Sequence, residues 1–275
     1  MKRWLWAALA ALACATPRPI EPRVTLLLGA VPWEVAPLEQ ALIGVQKGNV
    51  DGIAYTRGWL SGMLVVISLT GVGKTNTGLV VGVLYNEFRP RRVIFTGTGA
   101  RVDPGLEPGD VIVAQQVFFH DAGNLTEDGM QLLPVFGPGE RRADPVFAPD
   151  PELFSAALQA AESYAAPEVS VDGTSHRVRV RAGRIATGDL FGVNRWKLAE
   201  LREKLRADLL EMEGASLAQS CQTLGVPWLL IRAGSDPLRA GDASADYLKY
   251  GPIAARQAAL FTLQLVEQLA RSDAR

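Results

Sequence analysis

At 275 residues, 48% hydrophobic and 21% charged, the chain has the make-up of a globular protein of one large domain or two small ones. Its 28 Lys and Arg balance 29 Asp and Glu for a net charge of -1, and with no basic block a nucleic-acid partner is not expected. Two cysteines, Cys14 and Cys221, and two histidines, His120 and His176, argue against a Cys-based or His-rich metal site, so neither metal nor cofactor is expected.

Lys2 and Arg3 precede the apolar run WLWAALAALACA and the breaker-rich TPRPIEPR. A positive start, a run too short to span a bilayer and small residues at Ala13-Cys14-Ala15 describe a signal peptide over 1–15, with a short linker at 16–23. Cys14 also sits where a bacterial lipoprotein cysteine would. The expected location is therefore exported, either periplasmic or lipid-anchored to an envelope membrane. With Cys14 removed or lipidated, Cys221 has no disulfide partner, and its Ala/Leu-rich setting marks it as core.

From residue 24, short apolar runs alternate with helical periods. VTLLLGA (24–30) reads as a buried strand, and EVAPLEQALIG as a helix with apolar positions at 35, 38, 42 and 43. IAYTRGWLSGMLVVISLTG reads as a hairpin turning at Ser61-Gly62, followed by a helix from Thr75 to Glu87. RVIFTGTGA (92–100) and DVIVAQQVFF (110–119) are strands separated by a Pro/Gly turn. Residues 122–150 contain no convincing element and read as a long functional loop. A helix (151–164), a strand (178–187), a helix (194–206) and the short DLLEME follow. A helix from Gly214 to Leu224, the strand PWLLIRAGS and a last helix from Ala245 to Arg271 complete the chain.

Strands interleaved with helices predict an α/β sheet with helices on both faces, as one domain over 24–275. Ligands of such sheets sit at the carboxyl ends of strands. That rule singles out Glu34, Gly71–Lys74, Thr96–Ala100, Asp189, Glu211–Glu213 and Ser235-Asp236. SLTGVGKT (68–75) nearly matches the phosphate-binding loop G-x-x-x-x-G-K-[ST], but Ser68 stands where the first glycine belongs. Wrapping backbone amides around a polyphosphate depends on that glycine. Gly71 and Gly73 are better read as a tight turn beside a ligand or another backbone.

Taken in order, LLLGAVPWEVAPL, SLTGVGKTNTG, IFTGTGARVDPGLEPGDVIVAQQVFFHDAG, ATGDLFG, LLEMEGASLAQSC and PWLLIRAGSD resemble the nucleoside phosphorylase family. Within it the likeness is nearest to the methylthioadenosine/S-adenosylhomocysteine nucleosidases and covers nearly all of 24–270. The resemblance implies a single-domain mixed twisted sheet flanked by helices. By position, Glu34 in GAVPWE corresponds to the glutamate that activates water, and Asp236 in GSD to the aspartate that protonates purine N7. Glu213 in EMEG corresponds to the carboxylate that accepts from ribose hydroxyls, with Met212 packing on the sugar. Phe191 in GDLFG corresponds to the aromatic on the base, with Gly192 beside it, while Thr98, Gly99 and Ser235 complete the lining. Tyr247 or Tyr250 supplies an aromatic wall near the 5′ position. Family members are commonly dimers, which implies a homodimer in which the 118–135 loop closes a neighbour's pocket.

The chemistry explains those residue types. Breaking an N-glycosidic bond builds positive charge on the ribosyl ring and negative charge on the departing base. A carboxylic acid at N7 neutralises the leaving group and a carboxylate near C1′ activates water, help worth roughly 10²–10⁴-fold. The acid must keep its proton near neutrality, so Asp236 is expected in a site that raises its pKa. Singly, Glu34 reads equally well as a helix-start charge, Asp236 as a turn residue before Pro237, and Glu211 and Glu213 as helix-start acids. The ordered set of motifs carries the reading.

Phosphorylases of this fold hold phosphate with arginines in the first loop and before the glycine of the central strand. Here those places hold Trp33-Glu34 and Phe95-Thr96, which favours water as nucleophile. Arg101 is displaced and Arg232 is a lesser reserve. The expected activity is thus hydrolysis of a purine nucleoside of the methylthioadenosine type, with a phosphorylase or an exported nucleoside-binding protein as alternatives. A water-activating base has no use in a mere binder.

Overall fold

The computed structural model describes residues 24–138, 142–239 and 244–274. The signal peptide and linker expected at 1–23 lie outside the described residues. In chain order the first half holds β1 (Thr25–Gly29), α1 (Pro32–Gln40), β2 (Ile43–Val50), β3 (Ile53–Leu60), β4 (Met63–Leu69), α2 (Lys74–Phe88), β5 (Arg92–Arg101) and β6 (Val111–Phe119). Short strands β7 (Gly123–Thr126), β8 (Gly129–Leu132), β9 (Val135–Phe136), β10 (Arg142–Ala143) and β11 (Val146–Phe147) lead to α3 (Pro151–Glu162). Then come β12 (Glu168–Val171), β13 (Thr174–Arg177), β14 (Val180–Thr187), α4 (Arg195–Ala199), a π turn (Glu200–Lys204) and β15 (Leu209–Glu211). The chain ends with α5 (Gly214–Leu224), β16 (Trp228–Pro237) and α6 (Ser244–Asp273).

One mixed sheet organises these elements. β1 lies between β4 and β5, parallel to both, and its continuous apolar run is buried on both faces, as a central parallel strand requires. β5 pairs with β16, β16 with β6, β6 with β14, β14 with β15, and β15 back with β5, so this half of the sheet closes on itself. β4, β3 and β2 extend from β1 as an antiparallel wing. The β3–β4 turn falls at Ser61 (φ 50°) and Gly62 (φ 83°), the left-handed pair that a two-residue hairpin loop needs. Apolar side chains from α2 and α5 pack on one face, and those from α1, α3 and α6 on the other. The α/β architecture with helices on both faces agrees with the sequence reading.

Several local expectations are corrected. Ile43 and Gly44 do not end the first helix; they begin β2 at the edge of the wing. Ile43 is 74% exposed, so this strand has no buried face to impress a period on the sequence, and pairing with β3 decides its conformation. The segment 122–150 is not featureless but carries β7–β11, of which β7 and β8 form a hairpin. Strands of two to four residues are too short to show alternation. The β12–β13 hairpin before β14, with strands of four residues each, leaves no alternation in the sequence for the same reason. β5 and β6 are strands as expected, yet β16 lies between them.

Candidate active site

The carboxyl ends of β1, β5, β15 and β16, with the loops after β4 and β14, surround a cavity of about 400 Å³. Glu34, Thr98, Gly99, Phe191, Gly192, Met212, Glu213, Ser235, Asp236 and Tyr247, all singled out in the sequence, line it together. Tyr250 does not; its hydroxyl donates to Asp172 instead.

Glu34 is the third residue of α1, and its Oε2 accepts from the Ala30 amide at 2.7 Å. The helix-start role is therefore real, but it occupies one oxygen only. Oε1 reaches across to β5, accepting from the Thr98 amide at 2.9 Å and its hydroxyl at 3.1 Å. Bonds of this kind to an ionised acceptor hold the carboxylate in one orientation.

A fully buried guanidinium stands behind this wall. Arg232, in the middle of β16, donates through Nη2 to Glu211 at 2.6 Å and to Glu213 at 3.0 Å, while Nη1 lies 3.9 Å from Glu34 Oε1. Its plane lies over the Phe95 ring, 4.5 Å from the centroid. Burial opposes its charge, and Glu211, Glu213 and Glu34 override that effect and raise its pKa. Three carboxylates share one cation, so the cluster has a surplus of negative charge. The strain falls on Glu213: burial, with Glu211 and Glu34 nearby, pushes its pKa up to about 8 against the pull of Arg232 and the Gly73 amide. That amide donates to Glu213 Oε1 at 2.8 Å.

Glu211, left unexplained by its position in the sequence, is a structural partner. Besides Arg232 it accepts from the amides of Glu213 at 3.0 Å and Gly214 at 2.8 Å, and from the Thr187 hydroxyl. It closes the amino end of α5, where an anion compensates the helix dipole. Arg232 itself is the residue that sequence reasoning undervalued. The available signal was a lone arginine in the apolar run of a buried strand, which demands carboxylate partners.

Glycine at 97 permits this packing. A Cβ there would fall 1.9 Å from Arg232 Nη1 and 2.6 Å from Glu34 Oε1. Gly97→Ala is expected to destabilise the fold by about 1–3 kcal/mol through overpacking. It should also displace Glu34; thermal melting and turnover measured side by side check both.

Asp236, near the end of β16, is buried, and its Oδ1 accepts from the Ser235 hydroxyl at 2.9 Å. Burial raises its pKa above the ordinary aspartate value, overriding the Ser235 bond and Arg101. The expected acid is thus in an environment that favours its protonated form. Tyr247 makes an edge contact with Phe191 (5.8 Å) and a tilted one with Trp33 (6.2 Å). Leu190, Leu248 and Val72 extend this apolar rim.

Among the described residues lining the cavity, the charged ones are Glu34, Glu211, Glu213 and Asp236, all acidic. Arg101, the displaced candidate for holding phosphate, is spent on the carbonyls of Ser235 (3.0 Å) and Leu106 (2.7 Å). Lys74, from the near-miss phosphate loop, points to Asp121 at 2.7 Å. The site offers carboxyl oxygens as acceptors for hydroxyls beside an apolar rim, and no cationic side chain among the described residues lines it.

Residues 25–267 match the model of the phosphorylase superfamily. A 5'-methylthioadenosine/S-adenosylhomocysteine nucleosidase of Mycobacterium bovis is 32% identical over 237 residues, 83% of this chain and 91% of that protein. An aminodeoxyfutalosine nucleosidase of Campylobacter jejuni is 32% identical over 244 residues, 88% of this chain and 98% of that one. The crystal structure of the 5'-methylthioadenosine/S-adenosylhomocysteine nucleosidase from Neisseria meningitidis, in complex with methylthio-immucillin-A, is similar with a TM-score of 0.76 at 28% identity. It covers 89% of this chain and 99% of its own.

Proposed function

The chain belongs to the phosphorylase superfamily, and we propose from that premise that its cavity hydrolyses the N-glycosidic bond of a purine nucleoside and releases the free base. Nucleosidases at 32% identity over most of the chain support the reaction class. The observation that carries hydrolysis over phosphorolysis is the acid-only charge of the cavity, with Arg101 and Arg232 already bonded to carbonyls and carboxylates. A phosphate nucleophile would find four acidic side chains and no free cation among the described residues lining the site.

The residues divide the work. Asp236 donates its proton to N7 as the C1′–N9 bond lengthens, neutralising the base as it leaves. Glu34, fixed by Ala30 and Thr98, takes a proton from the water that attacks C1′. Glu213 accepts from ribose hydroxyls, with Met212 under the sugar. The positive charge developing on the ribosyl ring faces a cluster of three carboxylates around one guanidinium, which stabilises it electrostatically. Phe191 stacks on the base, and Gly192 offers backbone to its edge. The apolar rim of Trp33, Tyr247 and Leu248 suits a 5′-thioether, so a methylthioadenosine-type nucleoside is the proposed substrate.

Release of the free base, adenine from methylthioadenosine and adenosine and hypoxanthine from inosine, with and without inorganic phosphate, tests this. Release independent of phosphate, fastest from methylthioadenosine, is the expected outcome. Strict dependence on phosphate would make the protein a phosphorylase, and binding without release would make it a carrier.

Two further proposals concern its setting. Exposed Leu125 and Leu133, in the segment expected to meet a neighbour, support a homodimer, which the mass in solution checks. Lys2-Arg3, the apolar run and Ala13-Cys14-Ala15 support export, to the periplasm or to a lipid anchor at Cys14. Cell fractionation, with and without Cys14→Ala, separates the two.

A further inference from the structure

The loop Gly188–Gly192, which carries Phe191, leaves β14 with few apolar attachments: Asp189, Leu190 and Phe191 are all exposed. Polar links hold it instead. The Asp189 amide donates to Asp121 Oδ2 at 2.9 Å, and Asp189 Oδ1 accepts from the Lys74 amide at 2.9 Å. Lys74 Nζ closes the triangle, 2.7 Å from Asp121 Oδ2 and 3.7 Å from Asp189 Oδ2. Lys74 is also the neighbour of Gly73, whose amide holds Glu213, and its carbonyl accepts from Ser216 in α5 at 2.6 Å. Only glycine fits at 73: its φ is 98°, and a Cβ would stand 3.1 Å from Asp189 Oδ1.

Two segments distant in sequence, one bearing the base-stacking ring and one fixing the ribose acceptor, are therefore tied through three side chains that do not line the cavity. We propose that Asp121, Lys74 and Asp189 form a positioning clamp that sets the base loop and the Gly73–Glu213 contact as one unit before the nucleoside binds. This rests on the nucleosidase reading and adds to it residues that touch neither sugar nor base. Burial alone would push the Asp121 carboxyl up, but Lys74 and the Asp189 amide outweigh it and hold its pKa low, so the clamp is ionic. The lysine of SLTGVGKT thus serves an internal anchor, which accounts for a phosphate-loop pattern in a site that rejects phosphate.

A clamp of this kind acts by preorganisation, so its loss should appear in affinity and not in the chemical step. The test uses the full chain, with methylthioadenosine for kinetics and adenine for calorimetry. Asp121→Ala should raise KM and the adenine Kd by the same factor, on the order of tenfold, with kcat within about threefold of the parent. Asp121→Asn, which keeps an acceptor for the Asp189 amide, should recover part of that affinity. Asp189→Ala, on an exposed loop, removes the acceptor for the Lys74 amide but leaves the Asp189 amide on Asp121, so it should raise both constants together by a smaller factor, and it stands in for Asp121→Ala if that variant fails to fold. The double variant should lose less than the product of the two single effects, because the two links hold the same pair of segments. Unchanged adenine affinity in Asp189→Ala, a fall in kcat at constant KM, or additive effects in the double variant would overturn the clamp. Parent protein that binds adenine but cleaves no nucleoside would sink the hydrolase reading and leave the clamp standing on its binding data; parent protein that binds no adenine would sink both.

Discussion

Asp236→Asn is expected to lower kcat by about 10²–10⁴-fold, the worth of general-acid help, while nucleoside affinity stays within roughly tenfold. The substitution keeps the shape of the side chain and its place beside Ser235, whose hydroxyl bonds to Oδ1 at 2.9 Å. It removes only the proton. Because burial raises the Asp236 pKa, the protonated form is favoured in the free protein at a pH where a solvent-exposed aspartate is ionised. The sign follows: kcat/KM should fall as pH rises through that raised pKa, since the acid is the active form. In the Asn variant this alkaline limb should vanish with the activity it reports. A variant that keeps its turnover, or loses binding as severely as turnover, would remove Asp236 from the acid role.

Arg232→Met carries the largest expected effect on stability. The guanidinium is fully buried and is the one cation shared by three carboxyl groups at 2.6, 3.0 and 3.9 Å. Removing one partner of a buried ionic cluster leaves uncompensated charge and typically costs about 3–5 kcal/mol. For a domain of this size that corresponds to a melting temperature lower by roughly 10 °C. Turnover should be lost as well, because Glu213 and Glu34 lose the group that sets their spacing. With the cation gone, burial is unopposed by Arg232 and pushes the Glu213 pKa further up. Groups with raised folded-state pKa values contribute most stability below their unfolded values and lose it as pH rises. The melting gap between parent and variant should therefore narrow toward pH 5, and adding Glu211→Gln should restore part of it. A variant that melts like the parent at neutral pH would show that the cluster is not held by Arg232.

The paired roles of Glu34 show why the helix-start and site readings were not rivals. One oxygen caps the turn that enters α1, and the other reaches Thr98. A carboxylate has enough lone pairs for both. Glu211 went the other way: its capping and its ion pair consume both oxygens, leaving it a buttress for Glu213.

Much of this protein was decided locally. The buried run of β1, the Ser61-Gly62 turn and the span of α5 follow from period and turn chemistry, which depend on neighbours in the chain. So do the acids at strand ends, since a polar residue closing an apolar run marks where a sheet opens to a ligand. What only the tertiary structure decided is who meets whom. β2 is a strand because β3 offers it hydrogen bonds, and β16 separates β5 from β6 because the sheet closes. Arg232 faces Glu34, Glu211 and Glu213, and Lys74 faces Asp121 and Asp189, only after strands far apart in sequence are registered side by side. The sequence carries the demand of a buried charge for a partner, because desolvation is a property of the residue and its run. The choice among carboxylates is a matter of distance in space, which no local pattern encodes.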